Sequence, residues 1–156
     1  MNHAEAIQAV DEAFAEAPRP TTFIRGSCVC EECLEHNETL RGLKQKELPL
    51  GALNNPGWDP ICFASDAAFQ YLLPGLARLV LEHANDYLQQ FLFHITQADR
   101  LACFTPTQAN AVRAVLDVLA LEESAAVDNN LAADELFRAR HELEQAAASK
   151  TAPPHR

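Results

Sequence analysis

Ser65-Asp66-Ala67-Ala68-Phe69-Gln70-Tyr71-Leu72-Leu73-Pro74-Gly75-Leu76-Ala77-Arg78-Leu79-Val80 decides the fold class. Ser65 with Asp66 reads as a helix start, and Ala68, Phe69, Leu72 and Leu73 recur at steps of three and four. Pro74 kinks this helix or splits it, with a restart near Gly75 through Leu76, Leu79, Val80 and His83 or Ala84.

The same periodicity extends in both directions. Ala6, Ile7, Val10, Phe14 and Ala17 predict an amphipathic helix over 2–17, ended by Pro18 and Pro20. Thr21 to Ile24 is β-branched and predicts a short extended segment before Gly26. Helix formers return from about Cys30 to Leu43, and residues 44–64 read as a long loop rich in Pro, Gly and Asn. Downstream, helices are expected over Asp86–Thr96, after the Thr105-Pro106 cap, and from an Asp128 or Asn129 cap through Leu143. Alternating strand runs are missing. The expectation is an all-α, single-domain bundle of about six or seven helices over 1–148, with a flexible tail over 149–156.

Charge narrows the function classes. The 156 residues carry 12 Lys+Arg against 22 Asp+Glu, a net charge of −10. Residues 1–78 and 79–156 each hold 6 basic and 11 acidic side chains, so no charged tail hides in the average. Such acidity argues against nucleic-acid binding and against anionic lipid surfaces. The acidic stretch Met1–Ala17 lacks the form of a secretory signal, and Phe69–Leu81 is too short and interrupted to span a bilayer. A cytoplasmic location is expected.

In that compartment clustered thiols serve metal or redox chemistry more often than stable disulfides. Cys62 and Cys103 stand among apolar neighbours and read as buried small hydrophobes. Gly26-Ser27-Cys28-Val29-Cys30-Glu31-Glu32-Cys33-Leu34-Glu35-His36 is different. Cys30, Cys33 and His36 follow at steps of three, and Cys28 supplies a fourth donor. On a helix Cys33 and His36 lie about 60° and roughly 4.5 Å of rise apart. Thiolate plus imidazole suits zinc, and a structural site is favoured because the sequence marks no general base. A redox pair at Cys30 and Cys33 is weaker, since the chain lacks a βαβ pattern and Glu31 and Glu32 oppose thiolate formation. Ordinary packing of Cys33 beside Leu40 stays open.

Other candidates are less marked. Trp58, the only Trp, pins the loop to the core or lines an interface. Asp59 suits a turn before Pro60 and has no visible partner; His94, between Phe93 and Ile95, reads as a satisfied core or boundary histidine. Glu82, His83 and Asp86 fit a solvated helix end, and no nucleotide loop or hydrolase motif occurs.

Cys30-Glu31-Glu32-Cys33-Leu34-Glu35-His36, Asn55 to Phe63 with Trp58-Asp59-Pro60, Ala68 to Pro74 and Phe104 to Gln108 together resemble a family of small uncharacterised bacterial proteins. In these a C-E-E-C-x-E-H box, a W-D-P loop, an A-F-x-Y-x-L-P helix and a T-P-x-Q helix start follow in that order. The resemblance implies a bacterial, single-domain protein and brings no activity with it. The leading expectation is therefore a non-enzymatic module that binds a basic protein partner, in the manner of toxin-immunity proteins, with a structural zinc site at Cys28, Cys30, Cys33 and His36. The alternative is a small metalloenzyme or thiol redox protein using Cys30, Cys33 and His36.

Overall fold

A computed structural model describes residues 1–150. Nine α-helices lie among them: α1 His3–Ala13, α2 Glu31–Gly42, α3 Leu50–Leu53, α4 Asp66–Glu82, α5 Ala84–Ile95, α6 Ala98–Cys103, α7 Pro106–Glu122, α8 Ser124–Asn129 and α9 Ala133–Ser149. The all-α class is as expected, and short helices α3, α6 and α8 account for the excess over the expected number. Two isolated bridges are the β pairing found among the described residues. No helix there is long and apolar enough to cross a membrane.

Local chemistry sets most helix starts. Asn2 and Glu5 cap α1 reciprocally, as do Thr105 and Gln108 at α7, and the Ser65 hydroxyl accepts from the Ala68 amide at α4. Helix α1 stops at Ala13, short of the expected Ala17. It has no basic residue in its last turn. Extension would bring Glu16 beside Glu12 at the negative helix pole. The expected cap at Asp128 or Asn129 is corrected: these residues close α8, and α9 begins at Ala133. Between them Leu131 takes a left-handed φ of 52° and is 87% exposed. Side chains hold this corner to α5, with Gln89 donating to the Asn130 carbonyl and Asn130 donating to that of Asn85. At the other end of α9 the Lys150 ammonium donates to the carbonyls of Ala102 and Phe104. Of the expected tail, Ser149 lies in α9 and 151–156 fall outside the described residues.

Helix α7 sits at the centre, packed on α1, α4, α8 and α9, with Ala109, Val112, Val115, Leu116, Val118 and Leu119 buried. Helix α4 passes through Pro74 unbroken. Proline there forfeits the bond to the Gln70 carbonyl, at about 3 kcal/mol. Burial of Phe69, Leu72, Leu73, Leu76, Leu79 and Val80 offsets this, at roughly 1.5–3 kcal/mol each. Gly75 has a separate role: a Cβ there would stand 2.6 Å from the Gln45 carbonyl oxygen and 2.6 Å from Leu48 Cγ. The 44–49 segment therefore lies directly on the α4 backbone. Lower on α4, Arg78 donates to both carboxylate oxygens of Asp11 on α1, at 2.9 and 2.6 Å.

Two outcomes follow from these contacts. Gly75→Ala should gain about 1 kcal/mol of helix propensity, yet calorimetry should show a lower Tm because the 44–49 segment is displaced. A higher Tm would mean that segment is not seated on α4. The Arg78 hydrogen bonds, with Lys46, hold the Asp11 carboxyl below its ordinary value of 3.8 against the opposing effect of burial. Its contribution is present above that value and lost as pH falls through the lower folded value. Asp11→Asn should cost roughly 1 kcal/mol at neutral pH, and the gap to the parent should close in acid. A gap independent of pH would rule out this linkage.

Candidate metal centre

Placement of the thiols begins with a strand-like contact. Ile24 bridges Ala64, the Arg25 amide donates to the Phe63 carbonyl at 2.8 Å, and the Ser65 amide donates to that of Phe23 at 2.7 Å. Gly26 then turns the chain at a left-handed φ of 69°, where a side chain would be strained. This turn delivers Cys28 and Cys30 to the start of α2. Cys30 is the N-cap of α2, and its side chain makes no capping hydrogen bond.

The three sulfurs of Cys28, Cys30 and Cys33 lie within 4.8 Å of one another. Cys28 and Cys30 are exposed and Cys33 is half-buried. The Cys30 amide, with the neighbouring Cys30 and Cys33 thiols, lowers the pKa of Cys28. Cys33, donating to Cys28 and Cys30, is pushed up to about 12. Zinc–sulfur bonds of about 2.3 Å at tetrahedral angles set sulfurs about 3.8 Å apart. The Cys28–Cys30 separation of 3.2 Å needs to open by only about half an ångström to reach that spacing. The donor set and its dimensions fit a metal ion.

His36 takes a different place. Its ring is 1% exposed, stacked on Phe63 with centroids 4.1 Å apart and covered by Trp58 at 4.6 Å. It is not one of the donors gathered with the three sulfurs. Both ring nitrogens lack a hydrogen-bond partner, and the nearest charge is the Glu32 carboxylate at 3.8 Å. The helical offset between Cys33 and His36 separates them: Cys33 stays half-buried at the edge of the core, and the imidazole packs on Phe63 of the Pro60–Phe63 turn. Trp58 pins its loop in part: it packs on His36 and remains 41% exposed.

Compared with family models, curated proteins and solved structures, the chain matches none.

Sequence reasoning missed the neighbouring buried network. Asp59, 4% exposed, caps the 3-10 turn Pro60–Phe63 by accepting from the Ile61 amide at 2.9 Å. Its other oxygen accepts from Gln90 Nε2 at 2.7 Å and meets His94 Nε2 at 2.7 Å. The partner that Asp59 lacked in the sequence is thus His94, fully buried on α5. Burial lowers the His94 pKa despite Asp59. Beneath the turn Arg100 donates to the Ile61 carbonyl at 2.6 Å and lies 4.2 Å over the Phe69 ring. Burial brings its pKa down to about 10. Cys62 and Cys103 are exposed, which corrects their reading as core residues. Each follows its apolar neighbour on an irregular or terminal turn, where adjacent side chains point different ways.

Replacing Asp59 by Ala would remove a cap and leave Gln90 and His94 without their acceptor. Urea unfolding at neutral pH should show a loss of roughly 3–5 kcal/mol. A loss below about 1 kcal/mol would mean that this carboxylate does not hold the loop.

Proposed function

We propose that this chain is a helical, non-enzymatic binding module in which Cys28, Cys30 and Cys33 hold a structural zinc ion. The gathering of three thiol sulfurs within 4.8 Å carries the reading. Thiolates favour zinc among the common divalent ions, and three leave one tetrahedral position. His36, the next imidazole along α2, has two unpartnered ring nitrogens and completes the set on leaving its aromatic stack. The ion would clasp the segment after Gly26 to the start of α2, where no side-chain cap does so.

Val29 and Leu34 in these segments are 78% and 51% exposed, and Trp58, which packs on His36 of α2, is 41% exposed. Together with the net charge of −10 they support docking of a basic protein partner on this face, as in the immunity-like reading. The close, exposed Cys28–Cys30 pair favours thiol redox chemistry as the second reading.

Protein purified under reducing conditions without added zinc should contain zinc by elemental analysis, and Cys33→Ser should lose the equivalent held by the thiols along with several degrees of Tm. Less than about a tenth of an equivalent at the thiols would overturn the zinc reading, and a Cys28–Cys30 disulfide that forms once the reductant is removed would put the redox reading in its place.

A further inference from the structure

We propose that Asp59, Cys62 and His94 form a second site for a divalent ion of the zinc class, separate from the three-thiol centre. A carboxylate oxygen, a sulfur and a ring nitrogen, one from each residue, lie within 4.8 Å of one another. Two of the three come from one turn. Asp59 caps the 3-10 turn Pro60–Phe63 and Cys62 lies within it, at a spacing of three that in such a turn places side chains above one another. His94 comes from α5, 35 residues away.

The donor set is chemically suited to such an ion. Carboxylate and thiolate together neutralise a divalent charge, neutral imidazole adds no charge, and three protein donors leave a fourth position for water. Outer contacts already hold the set: the Ile61 amide on one Asp59 oxygen, Gln90 on the other, and Gln90 in turn on the Leu53 carbonyl at 2.8 Å. His94 Nδ1 is buried with no hydrogen-bond partner, and Tyr87 OH, which senses the charges of Asp59 and Cys62, is likewise unpartnered. Such orphaned groups are uncommon in a buried network that is already complete. Exposed Cys62 gives the ion a route from solvent.

Binding requires modest movement. Zinc bonds of about 2.1 Å to nitrogen and oxygen set those atoms about 3.4 Å apart, against 2.7 Å between Asp59 and His94 now. For His94 Nε2 to bind, the proton it now donates to the Asp59 carboxylate must leave it and the tautomer protonated at Nδ1 must form, and the Cys62 thiol proton leaves to solvent. The buried guanidinium of Arg100 beneath the turn opposes the added positive charge, so this is the weaker of the two sites.

The test is cobalt titration of the full-length, reduced protein after chelator treatment, followed by thiolate-to-cobalt charge-transfer absorption and by equivalents bound. The parent should take up two equivalents. Cys62→Ala, at an exposed position, and His94→Gln should each lose the weaker one; Cys28→Ser with Cys33→Ser should lose the tighter one. Unchanged uptake by Cys62→Ala overturns the second site. If the parent takes one equivalent that only the Cys28/Cys33 variant loses, the second site falls and the three-thiol centre stands. If only Cys62→Ala loses it, the reverse holds; if the parent takes none, both fall.

Discussion

The buried carboxylate of Asp59 is the constraint from which this end of the molecule is built. It caps the turn that follows it and accepts from Gln90 and His94 on α5. A carboxylate placed in the interior is tolerable only with its lone pairs occupied, so the loop and α5 have one mutual position. That turn carries Phe63, on which His36 stacks, and leads into Ala64, which bridges Ile24. From Ile24 the chain reaches Gly26 and the thiols. The three-thiol cluster thus depends on a polar contact made on the opposite side of the turn.

Beyond this contact, α4 supplies the platform. Pro74 and Gly75 look like helix breakers, yet the helix continues because nearly every side chain around them is buried. The missing Cβ at Gly75 lets the 44–49 segment settle on the helix backbone. Arg78, one turn onward, fastens the same helix to α1 through Asp11. Close backbone approach and a paired charge together fix the route by which the loop returns toward α3 and Asp59.

The two groups of candidate ligands differ in how the chain makes them. Cys28, Cys30 and Cys33 are local, spaced so that an N-terminal helical turn collects them. Asp59, Cys62 and His94 join a turn to a helix and are buried except at the thiol. The Pro60–Phe63 turn connects the two regions: Asp59 caps it, Cys62 lies in it, and its Phe63 packs on His36 of α2. Trp58, two residues before this turn, leaves apolar surface exposed beside it.

Features carried by neighbouring residues were legible in the chain. The caps at Ser65 and Thr105 and the grouping of the three cysteines each involve atoms within a few residues, whose geometry is set by local hydrogen bonding and helical spacing. Asp128 and Asn129 misled because such residues suit helix ends of either kind, and the left-handed Leu131 that separates α8 from α9 has no local signature. Cys62 and Cys103 misled because apolar neighbours predict burial only where side-chain direction is periodic. The sequence by itself determined helical class, acidity and the thiol cluster. Only the tertiary structure decided that His36 turns inward to Phe63 and that Asp59 meets His94, because those contacts join residues 27 and 35 positions apart, a separation that only packing closes.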